Sequence, residues 1–314
     1  MKRVFMLIGI AFFVLLFAVE RTCLAEAGKP IELKLSHFMS PMHNLHGDVF
    51  APFAKEVEEK SKGLIKITIF PGEALGKARD QFDMATTGVT DFAFVIPAYT
   101  PGRFPLSSVM ELPFLVPSSK VGSRVAWELA TKGYFKGEFL GAKLLSCWTT
   151  GPGQIYMNKK LAKNLDDIKG MRLRSPGPLQ TALLRELGIS PLTLPIPELY
   201  EALQRGMADG AIAPLSTIVD FKLYEVVKNF TIANIYTTTM CFVGNEKVWN
   251  SLSPGLQKIV EDAAGAKISA AAGTSYDAYD LKGIEAGKKA NAQIYILPQD
   301  ERKRWVDKTK GLND

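Results

Sequence analysis

The stretch Lys169–Gly177, KGMRLRSPG, sets two arginines one residue apart among apolar residues and ends in a Pro-Gly turn. Alternation with a period of two reads as a short strand, with Met171 and Leu173 on one face and Arg172 and Arg174 on the other. GPLQTALLRELG follows at helical spacing, and SPLTLP reads as a further short strand. A strand, helix and strand in such short compass predict a parallel pair with a crossover helix. Of the two cations, Arg174 stands where the strand runs out, beside Ser175-Pro176. Arg172 lies deeper in the strand and is expected to meet an acidic surface group.

The pattern repeats on both sides of this unit. Upstream, AKLLSCW and QIYMNKK read as strands; downstream, IPELYEALQRGMA reads as a helix ending near Gly206, then DGAIAP as a strand edge. YTTTMCFVGN is a further strand. The first half opens with IELKLSHF, where Ile31, Leu33 and Leu35 share a face. A helix follows over Leu45–Gly63, then LIKITIF closed by Pro71-Gly72, a helix ending near Gly88, and TDFAFVI closed by Pro97. From Ser253, a fair N-cap with Pro254 at the first helical position, the chain reads as one long or broken helix. The fold class is therefore α/β, with mixed, mostly parallel sheets flanked by helices and a long helix bridging two lobes. The expected lobes are 26–150 with about 242–285, and 151–241 with about 286–314. No Pro/Ser-rich linker separates them, so the joins are short strand crossings, as in a hinged clamp with its ligand between the lobes.

The N-terminus gives the location. Met1-Lys2-Arg3 precedes an uncharged, almost wholly apolar run over Val4–Val19, and CLAEA offers small-residue cleavage after Ala25 or Ala27. This is the pattern of a cleaved Sec signal peptide over 1–25, and the mature protein is expected in the periplasm. A retained anchor is the alternative for so short an apolar run, and a lipoprotein at Cys23 is disfavoured by Arg21-Thr22. The formal charge is +6; Lys2, Arg3 and Arg21 against Glu20 account for two of it, leaving the mature chain at about +4. Its basic residues are interspersed with acids, which excludes a nucleic-acid stripe. Cys147 and Cys241 remain after cleavage; the compartment permits a bridge, but distant cysteines do not show one, and two free buried thiols are expected.

Catalytic patterns are missing. His37, His43 and His46 are the only histidines, not spaced as HExxH and without a cysteine or acidic cluster beside them. There is no G-x-S-x-G, and GPGQ (Gly151–Gln154) matches neither the P-loop nor GxGxxG. The chain reads as a binding protein, not an enzyme, with no cofactor and no metal.

DIKGMRLRSPG and LGISPLTLPIPELYEALQRGMADGAIAP resemble the signature of the substrate-binding proteins of TRAP (tripartite ATP-independent periplasmic) transporters, of DctP type. Glu198, Tyr200, Ala202, Leu203, Gln204, Gly206, Asp209, Gly210 and Pro214 fit its EVYxALQxGxxDG block and following proline. FAKEVEEKSKGLIKITIFPGEALGKARD, FKLYEVVKNFT and GNEKVWNSLSPGLQKIVEDAA continue the likeness over nearly the whole mature chain. The resemblance implies a receptor in which Arg174 makes a bidentate salt bridge to a substrate carboxylate, a role suited to the planar, always-charged guanidinium.

Departures from the pattern bear on the ligand. Members that bind sialic-acid-like acids carry polar residues where this chain has Gly153, Ala213, Phe38 and Ile96. Such a site would leave sugar hydroxyls unpaired at roughly 1–3 kcal/mol each. Phe38, Tyr99, Trp148, Tyr156 and Phe242 lie near predicted strand ends, with Tyr236 and Phe221 as secondary candidates, and Gln154 is placed to orient a 2-oxo or 2-hydroxyl oxygen. The expected ligand is an organic monocarboxylate with an aromatic or branched body, captured by cleft closure and delivered to TRAP membrane subunits by a monomer. The monomer expectation rests on a sequence that runs to KTKGLND, without the swapped C-terminal helix of some relatives. A sensory receptor of the same fold and, further off, a periplasmic enzyme are the alternatives.

Overall fold

The computed structural model describes residues 29–313. The signal-peptide and Cys23 readings lie outside them. Eleven strands form two sheets among these residues. The first contains β1 (Ile31–Ser36), β2 (Ile65–Phe70), β3 (Phe92–Val95), β4 (Ala142–Thr149) and β10 (Thr239–Asn245), in the order β2-β1-β3-β10-β4. The second contains β5 (Gly153–Met157), β6 (Arg172–Ser175), β7 (Ser190–Thr193), β8 (Gly210–Pro214), β9 (Asn229–Ile232) and β11 (Gln293–Ile296), in the order β11-β9-β5-β8-β6-β7.

Both sheets are mixed for one reason. β1 runs parallel to β2 and β3, and β6 runs parallel to β7 and β8, as crossover helices require. β10 and β5 arrive from the opposite lobe and insert antiparallel to their neighbours. β4 leads into β5 through 150–152, and β9 leads into β10 through 233–238. These crossings run side by side: Thr150 N–H donates to the Thr238 carbonyl at 3.0 Å, and Gly153 N–H to the Tyr236 carbonyl at 2.7 Å. A lobe boundary at 241/242 would divide β10, because Thr239, Met240 and Cys241 are already paired with Thr149, Trp148 and Cys147.

The third connection is the helix Gly265–Lys289. The long-or-broken helix expected from Ser253 breaks: Pro254–Ala263, capped by Ser253 Oγ on Leu256 N–H, stops at Ala264, and Gly265 restarts the chain at φ +46°. The long helix packs on Ser119–Thr131 and β4 in one lobe, and on Thr217–Asp220 and β11 in the other. Its small residues allow this. A Cβ at Gly273 would stand 3.1 Å from Lys120 Cα, and one at Gly283 would collide with the Leu215 carbonyl. Its acids act on both lobes. Asp277 accepts from Ser119 N–H at 2.8 Å, and Asp280 accepts from Ser216 N–H at 2.7 Å.

Gly283→Ala therefore forces backbone off backbone at the second lobe's contact. It is expected to destabilise the protein by about 1–3 kcal/mol, read as a lower midpoint in urea unfolding.

Candidate functional site

Between the lobes lies a small cavity of about 40 Å³. Arg174 is its single charged lining residue among those described. Register places Arg174 in the middle of three parallel strands, opposite Leu192 of β7 and Ala211 of β8. Its side chain is 2 % exposed. Nε donates to the Leu194 carbonyl at 2.8 Å, Nη1 to the Ile212 carbonyl at 3.4 Å, and Nη2 to the Tyr99 hydroxyl at 3.5 Å. No carboxylate of the described residues forms an ion pair with it. Arg172 is exposed, with Nε 3.8 Å from an Asp209 carboxylate oxygen and Nη2 donating to the Gly206 carbonyl at 2.9 Å.

Tyr99 joins the lobes. It sits in the turn after β3, yet its hydroxyl accepts from Ile196 N–H at 2.9 Å in the second lobe. Burial raises its pKa, and the Arg174 charge works against that rise. The apolar wall comes largely from the first lobe. Phe38 packs against Phe94 and Tyr99 with ring centroids 5.2 and 6.0 Å away, beside Met39 and Ile96. The hydroxyl residues Thr150 and Thr238, in the crossings, and Ser216 and Thr217, after β8, also line the cavity. His43 also lines the cavity; its Nδ1 accepts from Leu45 N–H at 3.2 Å. Burial, helped by His37 and His46, lowers its pKa to about 3, so it is neutral at pH 7.

Of the residues singled out in the sequence, Phe38, Ile96, Tyr99 and Arg174 line this cavity, as do Tyr236 and Phe221. Gln154, Gly153, Ala213, Trp148, Tyr156 and Phe242 do not, each for a visible reason. Gln154 Oε1 accepts from Ala233 and Asn234 N–H at 2.7 and 2.9 Å, and its Nε2 donates to the Pro152 carbonyl at 2.8 Å. It pins one crossing to the other and has no atom left to orient a ligand oxygen. Gly153 contributes by lacking a side chain: a Cβ there would fall on the Tyr236 ring, which fills that space instead. Ala213 is fully buried in β8 opposite Gln154. Tyr156 donates to the Pro214 carbonyl at 2.6 Å. Phe242 belongs to the core, stacked on Phe92 with centroids 5.7 Å apart. Trp148 stands behind the wall, stacked on Phe94 at 5.8 Å, with its indole N–H unpartnered. Sequence reading missed Met39, Met240, Tyr276 and the hydroxyl residues. Thr150 and Thr238 carried a signal in their places beside the crossings; Tyr276, mid-helix, carried none.

Two contacts record the closeness of the lobes. Gln180 Nε2, on the helix after Arg174, donates to Glu111 Oε2 at 2.7 Å, and Glu111 Oε1 accepts from Thr239 N–H at 2.9 Å. Burial raises the Glu111 pKa to about 7. Gly177 touches Ala98, where a Cβ would stand 2.6 Å from the alanine methyl.

Two α/β lobes, two hydrogen-bonded crossings and a cavity held between them define a clamp-type solute receptor. The chain belongs to the bacterial extracellular solute-binding protein family 7, whose model matches residues 35–314, and so to the DctP-type receptors of TRAP transporters. It is similar to a TRAP solute-binding protein of Rhodoferax ferrireducens in complex with copurified benzoate (30% identity, TM-score 0.86, covering 90% of this chain and 89% of that one). It is also similar to a TRAP periplasmic protein of Bordetella bronchiseptica with bound (R)- and (S)-mandelate (27% identity, TM-score 0.84, 90% of each chain). The C4-dicarboxylate-binding periplasmic protein DctP of Rhodobacter capsulatus is 25% identical over 301 residues, 95% of this chain and 89% of its own.

Gly177 has extended backbone, so Gly177→Ala acts through the lobe contact and not through strain. It is expected to weaken ligand affinity about tenfold or more while leaving the urea midpoint of the ligand-free protein close to the parent's, and small-angle scattering should show a more open clamp. For Glu111 the raised pKa means that its contribution to stability is complete below about pH 4.5 and is lost as pH rises through about 7. Glu111→Gln removes that loss, so the variant should gain stability relative to the parent across this window in unfolding titrations at stepped pH.

Proposed function

We propose that this receptor captures an organic monocarboxylate with an apolar body, aromatic or branched, including 2-oxo and 2-hydroxy acids, and delivers it to TRAP membrane subunits. The observation that carries the reading is the buried Arg174 charge without a carboxylate partner among the described residues. A buried cation is costly unless paired, and a bound carboxylate supplies the pair. Guanidinium has five N–H donors. Nε–H and one N–H of each Nη are directed to Leu194, Ile212 and Tyr99, which leaves one on each Nη for the two carboxylate oxygens.

The wall of Phe38, Phe94, Ile96 and Met39 suits an apolar body. The benzoate and mandelate of the two similar structures support this chemistry. A C4-dicarboxylate would place its second charge where the lining offers no second cation. Thr150 and Thr238 take the role first given to Gln154, orienting an oxygen beside the carboxylate. The receptor is exported by a cleaved leader, acts in the periplasm as a monomer and turns over no substrate. In the open form Arg174 meets the acid. Closure brings Tyr99 onto Ile196 and Gly177 onto Ala98 around it.

Calorimetric titration of aromatic and branched monocarboxylates against C4-dicarboxylates and sugar acids tests the reading, together with mass spectrometry of the copurified ligand. Arg174→Ala is expected to cost about 2–5 kcal/mol, roughly 30-fold or more in affinity. Arg174→Lys should recover only part, since an ammonium lacks the paired donors. Parental affinity in Arg174→Ala, or binding of dicarboxylates alone, would overturn the assignment.

A further inference from the structure

We infer that Cys147 and Cys241 are joined in the exported protein by a disulfide that ties together the two strands from which the crossings depart. The two residues face each other in register across the antiparallel pair β4–β10. Their sulfurs lie 3.0 Å apart. Directly opposed residues in an antiparallel ladder have Cα atoms about 4.5 or 5.5 Å apart, and both spacings fall within the span of a disulfide. The ladder therefore presents the thiols to each other without rearrangement of the backbone.

Their surroundings offer no other use for them. Both side chains are fully buried, in an apolar cluster with Val95, Ala126, Phe139 and Val243, and neither lines the ligand cavity. No cluster of metal-binding side chains occurs among the described residues. Burial, reinforced by the neighbouring Cys147, holds the Cys241 thiol well above its ordinary pKa, so the reduced pair in the finished fold is a poor nucleophile. The bond forms as the chain folds after export, before the core closes.

The oxidant is a protein disulfide of the export compartment. One cysteine thiolate attacks it and releases one of its sulfurs as a thiolate, giving a mixed disulfide. The second cysteine then displaces the other sulfur. Cys147–Cys241 is formed, the oxidant leaves as a dithiol, and two electrons and two protons pass to it from this chain.

The consequence is mechanical. Thr150 N–H donates to the Thr238 carbonyl, and Thr238 N–H to Thr150 Oγ1, both at 3.0 Å, just beyond the cysteine pair. A covalent bond below these contacts keeps β4 and β10 from sliding, so the closing motion is left to the connections between the lobes. The bond also closes a long loop, since the cysteines are 94 positions apart, and this restricts the unfolded chain.

The inference rests on the export reading, and the test separates the two. The full chain with its leader is expressed, recovered from the periplasmic fraction, denatured without reductant and treated with a thiol-alkylating agent. No label is expected, with an intact mass lighter by two hydrogen atoms than after reduction. The same protein is then reduced in denaturant and refolded in a glutathione redox buffer. The intramolecular bond should return, and the oxidised protein should unfold at a higher temperature than the Cys147→Ser/Cys241→Ser variant. Two labelled thiols in the recovered protein overturn the disulfide of the exported form, even if refolding makes the bond. Two free thiols after refolding overturn the pairing itself. If the chain stays in the cytoplasm, the export reading fails, and the refolding arm still decides whether the cysteines pair.

Discussion

A guanidinium buried without a counter-charge among the described residues is the constraint around which the rest of this molecule is arranged. Arg174 is held by the carbonyls of Leu194 and Ile212 and approached by the Tyr99 hydroxyl, all neutral acceptors. Carbonyl dipoles soften the burial of a cation but do not neutralise it. That leaves a site whose electrostatics favour one class of occupant. The neutral His43 and an apolar wall add no competing charge. In the proposed function, recognition combines one directional anchor with an apolar surface. Ligands of this kind are told apart more by shape than by the number of their polar groups.

The anchor has to be reached from both lobes, and the chain manages this with paired connections. β5 and β10 each lie in a sheet reached by crossing from the other lobe, and the two crossings are bonded to each other. Gln154 reinforces them, holding Asn234 at a positive φ that asparagine tolerates. The third connection, the long helix, is fastened to one lobe by Asp277 and to the other by Asp280. Burial raises the Asp280 pKa to about 7, so this fastening, like the Glu111 contact, carries a titratable group.

Much of this was legible in the sequence where local pattern and position coincide. The alternation around Arg172 and Arg174, followed by a Pro-Gly turn, separated an exposed cation from one at a strand end. Phe38, Ile96 and Tyr99 were found because strand ends face the cleft. Legibility failed where a side chain's partners are remote in sequence. Gln154 looked like a ligand contact because nothing local shows that its amide is committed to backbone groups about 80 residues away. Trp148 sits near a strand end and Phe242 lies mid-strand, and neither lines the cavity. The helix Ser119–Thr131 was not read because its buried face is Ser119, Gly122, Ser123 and Ala126, a face too small to register as hydrophobic periodicity. Such a face is what close packing on another helix needs.

Trp148, set one layer behind the cavity, has a further consequence. Its ring is nearly parallel to that of Phe94, at 21°, and Phe94 forms part of the cavity wall. The indole is sealed from solvent, and its N–H has no acceptor among the described residues. A fluorophore in such a dry, rigid setting responds to small changes in the electric field across its neighbours. The receptor thus holds an intrinsic fluorophore one aromatic ring removed from its cavity, whose emission stands out as a sensor of occupancy once Trp127, Trp249 and Trp305 are replaced.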